Sequence, residues 1–146
     1  MTVLVGVDGS PRSYAAIRIA QEEASLRKTE LVAMMAYGGE SVLGTPAGRP
    51  LATTGSADED RGLAESTLRS VVRAALTSDE DVQLLVAAGQ PGRELVEAAR
   101  ERGAVMIVLA TRKEGTPSRL LGAVSQYVLR NAPCPVLVVP QASQAL

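Results

Sequence analysis

The sequence predicts an α/β fold: a doubly wound parallel sheet with helices on both faces. Three observations predict it. Five short segments are apolar at both parities rather than alternating, so each strand is buried on both faces. Helical patterns lie between them, and such alternation gives right-handed βαβ crossovers. The 146 residues make one domain by length, large enough to bury roughly two-thirds of the unfolded surface.

The strand segments are TVLVGV (2–7), ELVAMMAY (30–37), VQLLVAA (82–88), AVMIVLA (104–110) and PVLVV (135–139). The first helix is expected from Pro11 to Arg27, with Ser10 as N-cap and Pro11 at the first helical position. Residues 58–77 place Ala64, Leu68, Val71, Val72 and Ala75 on one face at spacings of three and four. Helices over 91–102 and 117–131 complete the set, the last stopped by Asn131 and Pro133. Residues 38–57, rich in Gly, Pro, Ser and Thr, form a loop too long for a routine connection, so it is either a mobile segment or a lid over a site. Residues 141–146 are a tail. Pro135, Val136, Leu137, Val138 and Val139 form the terminal strand. An apolar edge of this kind invites pairing with another chain, so a homodimer is expected, the tail being the alternative cover.

Composition narrows the function. Lys plus Arg (15) nearly balance Asp plus Glu (16), which gives no electrostatic case for nucleic acid or an anionic membrane. Three Tyr and no Phe or Trp leave no base-stacking platform. Without His, Ser-His-Asp and Cys-His catalysis and His-ligated metals are excluded. The single Cys134 forms no internal disulfide and reads as a small hydrophobe. The amino terminus has no basic lead or cleavage site, and no apolar run nears the roughly 20 residues that span a bilayer; a cytoplasmic protein is expected.

In open parallel sheets a ligand sits at the carboxyl ends of the strands, where strand order reverses. Strand one ends in VDGSPRS, placing Asp8 at the rim with Gly9 and Ser10 at a helix entry. Asp8 suits an amino or hydroxyl donor, or it simply completes the turn. Strand two ends in MAYGG, with Ala36 at the rim, and strand three in AAGQPG, where Pro91 removes a donor that phosphate binding would need. Strand four runs from Ala110 into a polar loop with Arg112, Lys113 and Gly115, then into a helix at Gly122, Ala123, Val124 and Ser125. That helix start can attract an anion, and Arg112 and Lys113 add positive charge, unless they are simply solvated. Ser125 otherwise reads as a helix-surface or backbone-bonding residue. The chain has no GxxxxGK[ST], no GxGxxG after the first strand, no acid ending the third, and nothing besides Asp8 that nominates a catalytic base. No catalytic residue and no metal site is assigned.

VLVGVDGSPRS, AGQPGRELVEAARERGAVMIVLATR and LLGAVSQYVLRNAPCPVLVVP together resemble the universal stress protein family over nearly the whole chain. The resemblance implies a five-stranded parallel sheet ordered 3-2-1-4-5, dimers paired through the last strand, and a site where Asp8 faces an adenosine. ATP-binding members carry Gly, two residues, Gly, nine residues, then Gly with Ser or Thr. Here Ala110 and Lys113 replace the first two glycines, Gly122 remains, Ala123 replaces the hydroxyl, and eight residues separate Lys113 from Gly122. Losing that hydroxyl removes a phosphate hydrogen bond worth about 1 kcal/mol. The expectation is a non-catalytic stress-response or signalling module with a degenerate nucleotide site and unidentified protein partners. The alternative is an ATP- or AMP-binding sensor, with slow ATP hydrolysis left open. No cofactor is assigned as certain.

Overall fold

In the computed structural model, residues 1–38, 57–78, 81–110 and 122–140 are described. The elements run β1 (Thr2–Gly6), α1 (Ser13–Arg27), β2 (Glu30–Gly38), α2 (Ala57–Ala75), β3 (Val82–Gly89), α3 (Pro91–Glu101), β4 (Ala104–Ala110), α4 (Ala123–Asn131) and β5 (Val136–Val139). All strand pairs are parallel, in the order β3-β2-β1-β4-β5. Both the fold class and the strand order expected from the sequence are therefore present. Nearly all of the loop expected over 38–57 and the whole 141–146 tail lie outside the described residues.

The strands are apolar at both parities because they separate two cores. Val3, Val5, Leu31, Ala33, Met35 and Val108 face α1 and α2, packing with Ala16, Ile17, Ala64, Leu68 and Val72. Leu4, Val32, Met34, Ile107 and Leu109 face the other way, toward Leu95, Val96, Ala99 and Val128 on α3 and α4. Each fully buried Val, Ile or Leu side chain contributes about 1.5–3 kcal/mol of transfer free energy. Together the two layers hold the central strands at 0% exposure at Val3, Leu4 and Val5.

Pairing between β1 and β4 is irregular. Thr2 pairs with Ala104 and Val3 with Met106, so Val105 is an extra residue on β4. Val105 and Met106 consequently both pack on the α1/α2 side, whereas Ala104 and Ile107 pack on the α3/α4 side.

At the amino-terminal edge of the sheet, Glu30 joins three strands. Its Oε1 accepts from Thr2 Oγ1 at 2.8 Å and its Oε2 from Gln83 Nε2 at 2.9 Å. Arg102, just past α3, donates from Nη1 to Gln83 Oε1 at 3.3 Å. The two helices on one face are joined by Arg18, whose Nε donates to the Ala75 carbonyl at the last residue of α2, 3.0 Å away. That bond satisfies one of the terminal carbonyls a helix leaves without an internal partner.

Helix boundaries differ from expectation in one informative place. Helix α1 begins at Ser13, so Ser10 is not its N-cap and Pro11 is not its first helical residue. Ser10 is committed elsewhere: its backbone N–H and its hydroxyl both donate to Asp8. Pro11 and Arg12 form a turn before the helix, closed by Ser13 N–H on the Ser10 carbonyl and Tyr14 N–H on the Pro11 carbonyl, both at 3.1 Å. At the other end of the chain, Pro135 precedes β5 rather than belonging to it. Lacking an N–H, it joins the sheet only through its carbonyl, which accepts from Ile107 N–H at 3.0 Å.

Candidate functional site

Strands β1 and β4 are neighbours, with Val5 opposite Val108, while α1 leaves β1 toward one face and α4 follows β4 on the other. Strand order reverses here, and a crevice at the carboxyl ends of β1 and β4 is the place an open parallel sheet offers a ligand. Asp8 stands at its rim. Its backbone arrives from β1, whose hydrogen bonding extends one residue through Val7 N–H to the Met34 carbonyl at 2.8 Å.

The two oxygens of Asp8 have unequal surroundings. Oδ1 accepts three hydrogen bonds: from Ser10 N–H at 2.9 Å, Ser10 Oγ at 2.6 Å and Ser13 Oγ at 3.1 Å. Oδ2 accepts one, from Arg12 Nη2 at 3.3 Å. Burial on its own would raise the carboxyl, but the Ser10 hydrogen bonds and the Arg12 charge outweigh it and hold Asp8 below its ordinary value of 3.8. The aspartate is therefore an ionised acceptor at neutral pH, fixed by one oxygen and presenting the other. Asp8 completes the turn through Oδ1, and Oδ2 accepts only the Arg12 bond among the described residues.

Gly9 makes that geometry accessible. Its φ of +84° is in the region side chains disfavour, and a Cβ there would meet Thr67 Cγ2 at 3.4 Å and Met35 Cε at 3.6 Å. The turn thus lies against α2 and β2. Ser10 and Ser13 are buried at 7% and 2% exposure, so both hydroxyls are turned inward to the carboxylate. The sequence reading omitted Arg12 and Ser13. Their signal was available in the four-residue step from Asp8 to Arg12 and in Ser13 one residue on, but the helix was assumed to start at Pro11, which points these side chains elsewhere.

Ala36 is half-buried and pairs with Ala87; Ala110 is half-buried, pairs with Val139 and packs against the α1/α2 core. Arg112, Lys113 and Gly115 lie outside the described residues, as does the beginning of the helix expected from 117. Gly122 is the N-cap of α4, in extended conformation with no side chain to cap it, and its carbonyl accepts from Gln126 N–H at 3.0 Å. Ala123 is exposed, Val124 packs against the α3/α4 core, and Ser125 is buried at 6% exposure, which removes the helix-surface reading of that serine. The structure thus joins Asp8, Gly9 and Ser10 in one turn and sets Gly122–Ser125 at the head of a second helix. At its first turn α4 offers amides without intrahelical partners but no hydroxyl at 123.

Burial pushes the Cys134 thiol up, only partly offset by a backbone interaction with Ile107, so this residue is a packing group rather than a nucleophile. Among the described residues, no group of three or more His, Cys, Asp or Glu is arranged to hold a metal ion, and no helix is long and apolar enough to cross a membrane.

Comparison with known proteins adds the following. The model of the Universal stress protein family matches residues 1–140. Universal stress protein Rv2623 of Mycobacterium tuberculosis is 33% identical over 143 residues, covering 94% of this chain and 46% of that protein. The chain spans about half the length of the first curated relatives it matches. A Thermus aquaticus universal stress protein is 31% identical over 94% of this chain and 97% of its own length. Among solved structures, a universal stress protein in complex with cAMP is 26% identical with a TM-score of 0.65, covering 96% of each chain. One from Archaeoglobus fulgidus in complex with dAMP is 25% identical with a TM-score of 0.63, covering 95% of this chain and 97% of that one.

Proposed function

The chain belongs to the universal stress protein family, and on that premise we propose that it is a non-catalytic cytoplasmic stress-response protein whose degenerate site takes an adenine nucleoside monophosphate rather than ATP. The observation that carries this reading is the unequal commitment of Asp8. A carboxylate with Oδ1 saturated by Ser10 and Ser13 and Oδ2 held by one long bond is a preorganised acceptor for a hydroxyl or amino donor. The phosphate side of the crevice is the weakened half. Ala123 offers no hydroxyl, and Ala110 and Lys113 stand where ATP-binding members resemble one another in having glycine. A single phosphate needs fewer such contacts than three. The cAMP and dAMP complexes of related structures support a ligand of this size.

The test is calorimetric titration of the purified protein, stripped of carried-over nucleotide, with Mg-ATP, AMP and cyclic AMP. The expected result is micromolar binding of AMP or cyclic AMP, no tighter binding of Mg-ATP, and loss of the heat in Asp8→Ala. Absence of heat with all three at millimolar concentration overturns the reading.

A second reading is favoured by β5. Val136, Leu137 and Val138 are only half-buried among the described residues, on the last strand of the sheet order. On this reading the chain pairs along that edge with a second copy, or with a protein partner not yet identified, and its output is the assembly. Sedimentation at micromolar concentration, with and without AMP, separates the two: a monomer throughout removes the edge reading and leaves the nucleotide reading in place.

A further inference from the structure

We infer that Ser13 is a positioning residue of the crevice: one buried hydroxyl grips both the main chain and the carboxylate of Asp8, and so fixes which carboxylate oxygen faces a ligand. Its effect on a ligand rests on the nucleotide reading above. Its effect on Asp8 itself does not.

The first ground is the pair of bonds that this hydroxyl makes. A serine hydroxyl donates once and accepts through its lone pairs. Ser13 Oγ uses both capacities on one residue: it accepts from Asp8 N–H at 3.3 Å and donates to Asp8 Oδ1 at 3.1 Å. A link from a residue's own amide to its own carboxylate constrains the torsion between them. The Asp8 side chain is thereby held in one of its staggered positions. Ser10 also binds Oδ1, from N–H at 2.9 Å and Oγ at 2.6 Å, but those bonds span two residues and travel with the turn.

The second ground is where the grip is anchored. Ser13 is the first residue of α1 and is 2% exposed, and Ala16, Ile17 and Ala20 of the same helix are 0% exposed in the core. Ser10 instead precedes the helix, in a turn that contains Gly9 at φ +84°. The Ser13 bonds therefore refer the aspartate to the packed core rather than to the turn. The Asp8 side chain is 42% exposed although both serines on its Oδ1 are buried, so the open part of the carboxylate is the side of Oδ2. Oδ2 accepts one bond among the described residues, from Arg12, and a carboxylate oxygen takes about two. A ligand donor can join Arg12 there without displacing it. Without the Ser13 grip the side chain regains other staggered positions. The fraction that presents Oδ2 then falls to about a half or a third, and apparent affinity falls with it.

The experiment reads the Asp8 rotamer from three-bond NMR couplings to its side chain, and AMP affinity by calorimetry, in the wild type, Ser13→Ala, Ser13→Cys and Ala16→Gly. Ala16→Gly loosens the same helix without touching a group bonded to Asp8, and so controls for a merely structural role. The wild type is expected to show one rotamer. Ser13→Ala should show averaged couplings and bind AMP about two- to threefold more weakly. Ser13→Cys, with a weaker donor in the same place, should fall between, and it carries the test if Ser13→Ala does not fold. Ala16→Gly should lower stability yet keep the wild-type couplings and affinity. Averaged couplings in the wild type, one rotamer retained in both Ser13 variants, or the same averaging in Ala16→Gly overturns the role of Ser13 and leaves the nucleotide reading intact. Couplings that respond as expected in a protein that binds no AMP uphold the grip on Asp8 and overturn the nucleotide reading.

Discussion

Tyr127 of α4 lies directly on Gly92 of α3. A Cβ built at Gly92 would stand 3.1 Å from Tyr127 Cδ1, 3.2 Å from its Cβ and 3.3 Å from its Cγ. The two helices meet here so closely that a methyl group at 92 would require Tyr127 to give by a few tenths of an ångström. Gly92→Ala is expected to destabilise the protein by about 1–2 kcal/mol, because overpacking exceeds what alanine gains in helix propensity. Thermal unfolding should show a midpoint lower by several degrees. In Tyr127→Ala, which removes Cγ and Cδ1 but keeps the Cβ, the same substitution should cost less, and that non-additivity is the signature of direct contact.

Asp8 predicts an acid limb of stability. Its folded pKa is depressed, so its contribution is fully present above the ordinary value of 3.8 and is lost as pH falls through the lower, folded value. Asp8→Ala should cost on the order of 1–2 kcal/mol near neutral pH, through the lost hydrogen bonds of Ser10 and Ser13. Urea unfolding of both proteins from pH 6 down to pH 2 should show the gap constant at first and narrowing below about pH 4. A gap that stays constant to pH 2 would mean that the turn does not depend on the charge.

Glu30 is predicted to matter for stability and not for ligand binding, since it lies at the opposite edge of the sheet from Asp8. Thr2 is 1% exposed, and its hydroxyl donates to Glu30. Glu30→Ala strands that hydroxyl and should cost about 1–2 kcal/mol in denaturant unfolding. Adding Thr2→Val, which removes the stranded group at nearly constant shape, should recover most of the loss.

Ala123 offers a gain of function. It is exposed at the first residue of α4, so a serine there should leave the fold undisturbed. A hydroxyl in that position adds one phosphate contact, worth about 1 kcal/mol. Ala123→Ser should therefore tighten AMP by roughly fivefold in calorimetry. No change would place the phosphate elsewhere in the crevice.

Much of this could be read from the chain, for identifiable reasons. Strands apolar at both parities have one environment that suits them, and β1 to β4 are found where those runs lie. Glycine-proline and apolar spacing likewise fixed α2 and α3 to within two residues at either end. What escaped were relationships without a sequence period. Nothing in the spacing of residues 2, 30 and 83 announces that one carboxylate will join them. Gly92 and Tyr127 meet only because two helices share a face. The start of α1 misled because Ser-Pro is a common helix opening, yet Asp8 competes for the Ser10 hydroxyl and wins. The same competition hid Arg12 and Ser13, the residues that give the candidate site its asymmetry.

The extra residue at Val105 gives β4 a place where its length can change. Deleting one residue there would remove the bulge and let Thr2 and Val3 face consecutive residues of β4. Ile107 to Ala110 would keep their partners on β5, and the rim beside Asp8 would stay where it is. A deletion two residues later would instead turn the rest of the strand over and exchange its two cores. Insertions and deletions in β4 therefore have a tolerated point close to its beginning, insulated from the crevice by the paired residues that follow.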